Sequence, residues 1–154
     1  MMAAEHPKRI VGFVGPIYDA LEGVSYPLMR IVTGALLLPH GSQKLFGLFG
    51  GDINQTAAFF SKVGIEPALP LAYATGCVEF FGGLLLVLGL LTRIAAASVV
   101  TIMLVAIFSV HLAKGYFWTS LGFEYPLMWA LFALAIFIHG GGRFSLDRMI
   151  GYEF

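Results

Sequence analysis

The chain has 154 residues, of which 58% are hydrophobic and only 12% are charged, and its mean hydropathy is +0.86. This composition lies outside the range of soluble globular domains and is typical of an integral membrane protein. Nine basic and nine acidic residues give no net charge, and no basic run occurs, so nucleic acid is not an expected partner. The single cysteine, Cys77, excludes an internal disulfide and CxxC redox chemistry.

The N-terminal residues 1–25 do not have the form of a signal peptide. Glycine, proline and acidic residues interrupt the stretch that follows Lys8 and Arg9, so no sustained apolar core is present. Residues 10–21 are predicted to form an amphipathic segment at the membrane interface. We therefore expect residues 1–25 to be a cytoplasmic interfacial segment that precedes the membrane domain.

Four apolar stretches follow, each near the roughly 20 residues that a helix needs to cross a bilayer. They cover residues 26–46, 69–91, 94–113 and 125–140. The predicted fold is all-α: a four-transmembrane-helix bundle over residues 26–148, with 149–154 as a C-terminal tail. Between the first two spans, Asp52 is placed to cap a short amphipathic helix that we also expect at the interface.

The orientation is predicted from the Lys and Arg residues near the span ends. With a cytoplasmic N-terminus, five of them lie inside and three outside. The inner set is Lys8, Arg9, Arg93, Arg143 and Arg148, and the outer set is Lys44, Lys62 and Lys114. The positive-inside rule therefore predicts a multi-pass protein, in a bacterial inner membrane, with both termini cytoplasmic.

Ionisable residues within the apolar stretches are the main functional clue. They are His40, Lys44, Glu79, His111 and Glu124. In the predicted topology four of them lie in the outer half of the membrane, and Glu79 lies roughly 15 Å deep, near the midplane. A charge in hydrocarbon costs about 2.5 kcal/mol or more, so we expect these side chains to face one another inside the bundle.

Helical periodicity indicates which faces carry these groups. On the first span, steps of three and four residues place one set on a single face: Arg30, Thr33, Leu37, His40 and Lys44. On the second span the corresponding stripe is Ala72, Gly76, Glu79 and Gly83. Small residues let a neighbouring helix approach closely, so this stripe is predicted to bury Glu79 against a partner helix. Pro39 removes a helical hydrogen bond just before His40.

Four motifs occur along the chain in an order typical of one family. They are RIVTGALLLPHGSQKLFG in the first span, EFFGGLLLVLGLLTRIAA from Glu79, HLAKG from His111 and GRFSLD from Gly142. On these motifs the chain resembles the DoxX family of small four-helix membrane proteins over roughly residues 26–148. The positions that match recurrent polar and glycine positions of the family are His40, Gly41, Lys44, Glu79, Gly82, Gly83, Arg93, His111 and Glu124.

The resemblance implies a membrane subunit of an oxidoreductase system, because the family is named for a subunit of an archaeal thiosulfate:quinone oxidoreductase. A quinone is the implied ligand. No flavin, haem or iron–sulfur motif is present in the sequence, so the electrons would come from a partner. The expected partners are the lipid bilayer and either a redox partner protein or a second copy of the chain.

Two groups of site residues are predicted. Glu79, His40 and Lys44 are the catalytic candidates, which would handle the protons and hydrogen bonds of a quinone head group. The ligand-binding candidates are His111, Glu124, Gln43 and Trp118. Trp118 would either stack on the ligand or belong to an interfacial aromatic belt. No metal site is predicted, because the Glu-x-x-His spacing of carboxylate bundles is missing, and axial ligation of a haem by two histidines is a weaker alternative.

Other interpretations of the same residues stay open. Glu79 could form a purely structural ion pair with Lys44. The protein could be a scaffold that assembles other membrane proteins, or a pathway for a proton or small molecule in which Arg30 and Thr33 continue the polar face inward. Ser145 and Asp147 are both placed to cap a short helix after the last span.

Overall fold

The computed structural model describes residues 10–153, and within that range every regular element is helical. The helices are α1 Gly15–Phe46, α2 Ile53–Lys62, α3 Ala68–Leu88, α4 Thr92–Lys114, α5 Glu124–His139 and α6 Leu146–Ile150. Two of them contain a wider π-helical turn, at Val78–Gly82 in α3 and at Ile107–His111 in α4. The predicted all-α class is confirmed.

The apolar helices follow the predicted spans closely. α1, α3 and α4 are long and apolar enough to cross a membrane, and α5 is a shorter apolar helix of 16 residues. α3 ends at Leu88, before the predicted boundary at residue 91, because Gly89 adopts a left-handed conformation with φ 66°. The chain then turns sharply through Leu91, which is also left-handed at φ 48°, into α4.

α1 is longer than the predicted first span. Its 32 residues correspond to about 48 Å at 1.5 Å per residue, against about 30 Å for a bilayer core. Residues 15–25, predicted to belong to a separate interfacial segment, are instead its first turns. The helix is continuous through Pro27 and Pro39. Residues 1–9, which include the orientation signals Lys8 and Arg9, lie outside the described part of the chain.

Glycines set how the first two spans pack together. A Cβ at Gly34 would lie 2.9 Å from Leu86 Cβ, and one at Gly41 would lie 2.7 Å from Phe80 Cα. Because later residues of α1 meet earlier residues of α3, the two helices are antiparallel. All four residues of the predicted α3 stripe, Ala72, Gly76, Glu79 and Gly83, are buried, as expected for a face that meets a partner helix. α4 packs along α5, and Val99 and Ile136 join Leu37 and Leu86 in the core.

The bundle has two ends, which we name after the cation that each one shields. The Lys44 end contains the last turn of α1, the helix α2 and the loop 115–123. The Arg30 end contains the turn 89–91 and the segment 140–153, against which Arg30 packs. Neither name depends on which side of the membrane the end faces.

At the Lys44 end, α2 begins as predicted. The Asp52 carboxylate accepts a hydrogen bond from the Asn54 N–H at 2.8 Å and so caps the helix. Glu66 organises the connection from α2 to α3, accepting from Ser61 Oγ at 2.6 Å and from the Ala68 N–H at 2.8 Å. These hydrogen bonds, first that from Ser61 and then that from Ala68, hold the pKa of Glu66 below its usual range.

Candidate functional site

A buried ion pair joins the first two spans. Lys44 Nζ lies 2.6 Å from Glu79 Oε2, and the two side chains are only 20% and 10% exposed. Lys44 is in the last turn of α1, whereas Glu79 lies well inside α3, about 16 Å along the axis from Ala68. The ion pair considered from the sequence as a structural alternative is therefore present.

Small residues and a change of helix type position this pair. Gly76 of α3 lies beside Lys44, where a Cβ would be 3.1 Å from the Lys44 Cβ, so the lysine stem runs close along α3. Glu79 itself sits in the π-helical turn Val78–Gly82. Such turns are local departures from regular helix that occur frequently at functional sites.

The pair can exchange a proton without rearrangement of the fold. At 2.6 Å the ammonium and the carboxylate are within charge-assisted hydrogen-bond distance, so the proton can move between Nζ and Oε2. The pair is also largely removed from water, so removing one partner leaves the other without compensation.

His40 lies outside the buried face of α1. Helical spacing predicted it on the same face as Leu37 and Lys44, but the buried stripe instead passes through Gly41, and His40 is exposed. The reason is that the next residue after Leu37 on the buried face is Gly41, four positions later, which contacts Phe80. Within residues 10–153 the His40 side chain has no hydrogen bond or ion pair. Gln43 is half-buried, and its main chain packs against Gly51.

The other ligand-binding candidates organise a loop at the Lys44 end. His111 Nδ1 lies 2.6 Å from the Leu121 carbonyl oxygen. The Glu124 carboxylate accepts a hydrogen bond from the main-chain N–H of Trp118 at 3.1 Å. The Trp118 ring stacks on Tyr125 with centroids 5.3 Å apart. Among residues 10–153, no hydrogen bond or ion pair connects these side chains to Lys44 or Glu79. The structure thus brings together two of the predicted site residues and uses three others to hold the loop 115–123.

No metal centre is visible in the part of the chain that the structure describes. Across residues 10–153, no three His, Cys, Asp or Glu side chains converge as the ligands of a metal ion would. The two histidines weighed as haem ligands differ in their surroundings, since His40 is exposed and His111 is bonded to Leu121.

The Arg30 end contains a second buried charge, which the sequence predicted only as part of the polar face of the first span. Arg30 is completely buried, and its Nη2 donates a hydrogen bond to the Phe144 carbonyl oxygen. Its Nε and Nη1 have no partner among the described residues. Asp147, also buried, interacts electrostatically with Arg30. In the sequence, the position of Arg30 at the start of the polar stripe on α1 was the signal that could have identified this buried charge.

Asp147 has a different role from the predicted one. Ser145 alone caps α6, accepting a hydrogen bond from the Arg148 N–H at 3.2 Å. The Asp147 carboxylate instead accepts from the main-chain N–H groups of Leu91 at 2.8 Å and Thr92 at 2.9 Å, which caps the start of α4. A carboxylate at this position also complements the positive end of the α4 dipole.

Four contacts made by Tyr26 and Glu153 complete this end. The Tyr26 hydroxyl donates to the Gly140 carbonyl oxygen, and the Tyr26 ring lies against His139 with centroids 3.7 Å apart. Glu153 pairs with Arg93 at 3.5 Å and accepts from the Gly141 N–H at 2.8 Å. The segment 140–153 is therefore fastened to α1 and α4 by several polar contacts.

Comparison with known proteins identifies the family. The family model described as DoxX matches residues 26–112, more than half of the chain. The chain belongs to the DoxX family. The matched region contains the Lys44–Glu79 pair and Arg30, but it ends before α5 and before the segment 140–153 that surrounds Arg30.

Relatives of this DoxX protein come from several bacteria. It is 33% identical over 124 residues to a Bacillus subtilis (strain 168) protein named "Putative oxidoreductase CatD", covering 80% of this chain and 84% of the relative. It is 29% identical to an uncharacterized membrane protein of Mycobacterium tuberculosis, covering 92% and 93% of the two chains. It is also 34% identical to an uncharacterized Haemophilus influenzae protein, covering 78% of this chain and 86% of the relative. No solved structure matches the chain.

Proposed function

We propose that this DoxX protein is the membrane subunit of an oxidoreductase system and that it binds a quinone head group at the Lys44–Glu79 pair. The observation that carries the proposal is the pair itself, a titratable acid and base 2.6 Å apart and shielded from water. The name of the Bacillus subtilis relative supports the oxidoreductase class. In the proposed orientation both termini are cytoplasmic in a bacterial inner membrane, so the pair lies in the outer half.

The proposed chemistry concerns protons. Reduction of a quinone to a quinol takes up two electrons and two protons, one proton at each carbonyl oxygen. The electrons would be supplied by a redox partner protein. Lys44 would donate a hydrogen bond to one oxygen, and the Lys44–Glu79 pair would deliver its proton as that oxygen gains charge. The second oxygen would take its proton from water by way of His40, which lies one helical turn before Lys44 on α1 and is exposed. Water would likewise restore the proton that the pair has given up.

The experiment is a binding titration on the purified full chain in detergent. A short-chain quinone is added while the tryptophan fluorescence of Trp118 and Trp129 is recorded. The variant Glu79→Gln keeps the shape of the side chain but removes its charge, and we expect its Kd to rise about tenfold. Glu22→Gln makes the same change on an exposed turn of α1 and should leave the Kd unchanged. Equal quinone affinity in the wild type and Glu79→Gln would refute the proposal.

A scaffold function is the second candidate, and the close α1–α3 contact favours it. With Gly34 and Gly41 packed against the main chain or Cβ atoms of α3, the ion pair would serve to fix the register of two spans. In that case Glu79→Gln would lower the stability of the protein and leave quinone binding as it is. Stability and binding measured on the same preparation therefore separate the two functions.

A further inference from the structure

A cavity of about 380 Å³ lies at the Arg30 end, away from the Lys44–Glu79 pair. It is bounded by the end of α5, by α6 and by the residues that follow α6. Polar side chains lining it are His139, Ser145, Asp147, Arg148, Tyr152 and Glu153. Because α3, α4 and α5 all begin or end here, the cavity is at the level of the lipid head groups rather than the hydrocarbon.

Two carboxylates and one guanidinium line this cavity, and among the described residues only the guanidinium has no charged or hydrogen-bonding partner. Glu153 is paired with Arg93, and Asp147 is compensated by two main-chain N–H groups and by Arg30. The remaining charged group is Arg148, whose guanidinium has no hydrogen bond or ion pair within residues 10–153. The cavity therefore has an unpaired cation on its wall, and His139 and Tyr152 line the same cavity.

A second cation lies directly behind this wall. Ser145 faces the cavity on one side, and on the other its Cβ approaches Gly89, over which the Arg30 guanidinium is packed. Two nitrogens of Arg30 have no partner among the described residues although the residue is fully buried. A buried cation with incomplete compensation is stabilised by a nearby anion, because the interaction is little screened at low dielectric.

We propose that this cavity binds the phosphate group of an anionic ligand. Arg148 would make the direct ionic contact, with His139 and Tyr152 as further hydrogen-bond partners, while Arg30 would contribute at longer range. The volume falls at the lower end of the range of small-ligand sites, about 300–1,000 Å³, which suits a phosphate with a short polar extension. The same phosphate chemistry is offered by a phospholipid head group at this depth and by free phosphate in solution.

The test measures both sources on the purified full chain without any quinone. Native mass spectrometry in detergent compares the binding of dioleoyl-phosphatidylglycerol with that of dioleoyl-phosphatidylcholine, and a separate titration uses inorganic phosphate alone. We expect phosphatidylglycerol to bind about tenfold more tightly than phosphatidylcholine. Binding of inorganic phosphate without lipid preference would assign the site to a free oxyanion and still support it. Absence of both would overturn the proposal.

Two arginines of this end give a matched pair of variants. Both are exposed: Arg148→Gln removes the cation on the cavity wall, and Arg143→Gln removes an arginine that packs on Phe144 outside the cavity. We expect about a tenfold loss of binding for the first and none for the second. Equal losses would mean general attraction to a basic surface and would overturn the site. Arg148→Lys should retain most binding, which separates loss of charge from misfolding.

Discussion

The two ends of the bundle each shield a cation beside a carboxylate, but they satisfy these charges in different ways. At the Arg30 end both charges are tied to the main chain: Arg30 donates to the Phe144 carbonyl, and Asp147 accepts from Leu91 and Thr92. At the Lys44 end the two side chains bind each other. A side chain that holds main-chain groups cannot lose its charge without disturbing the fold. Two side chains that bind each other can exchange a proton while the fold stays the same.

The two ends also differ in which parts of the chain their charged residues connect. Arg30 and Phe144 are 114 residues apart in the chain, so their contact joins the first helix to the segment after the last. Lys44 and Glu79 are 35 residues apart and lie on two helices that already touch along their length. The contacts at the Arg30 end therefore close the bundle, and the Lys44 end is where we propose that the chemistry takes place.

The largest expected effect comes from Asp147→Ala. It removes two capping hydrogen bonds and leaves Arg30 without its neighbouring carboxylate, so we expect a loss of about 3–5 kcal/mol. Thermal unfolding of the detergent-solubilised protein measures it. Asp52→Ala, the same substitution at the exposed cap of α2, should cost only about 1 kcal/mol. If both variants lose the same stability, the Arg30 end has no special structural role.

The next effect concerns the contact between α1 and α3. Gly41→Ala places a methyl group 2.7 Å from Phe80 Cα, which must push the helices apart and separate Lys44 from Glu79. We expect a loss of about 1–3 kcal/mol, together with weaker quinone binding. Gly82→Ala is the control, because a Cβ there would lie 3.7 Å from Val78 Cγ1, at ordinary van der Waals distance. Unfolding midpoints that match for the two variants would argue against close packing at Gly41.

A smaller change in stability is expected for Glu79→Gln. The loss should be about 1.5 kcal/mol, at the low end for a charged hydrogen bond, because Lys44 is one-fifth exposed and retains some water. Adding Lys44→Met should restore this stability but not quinone binding. Recovery of both properties in the double variant would instead indicate that the pair only holds the helices in register.

The smallest effect on stability is expected for His40→Gln, because His40 is exposed and outside the buried face. The free energy of unfolding should change by no more than about 0.5 kcal/mol. The quinone Kd of the same variant is measured as well. A rise in Kd without loss of stability would support His40 as part of the quinone site. A large loss of stability would mean that His40 is covered in the native membrane assembly.

Local sequence patterns predicted much of the fold. Hydropathy located the spans, and the small residues around Glu79 correctly indicated the buried face of α3. Asp52 was recognised as a cap because its partner is two residues away. These features depend on neighbours along one helix or one turn, which a single sequence displays directly.

Long-range contacts were harder to predict. Steps of three and of four residues are both compatible with one helical face, so the sequence could not separate His40 from Gly41. The main-chain groups that Asp147 binds lie 55 and 56 residues away, and hydropathy does not show which turn meets the chain end. The cluster around Arg30 therefore emerges only from the three-dimensional arrangement.

The π-helical turn Val78–Gly82 has a consequence for how this region can vary. Such a turn accommodates one residue more than a regular helical turn, so deleting one residue there would allow an ordinary α-helix to form. Residues on the two sides of the deletion would keep nearly the same orientation, because the wider turn had absorbed the extra residue. Gly83 and Leu86 would therefore still face Gly34. A deletion in the regular part of α3 would instead rotate all later residues by about 100°. The Val78–Gly82 turn is thus the place in α3 where a change of length by one residue should be tolerated best.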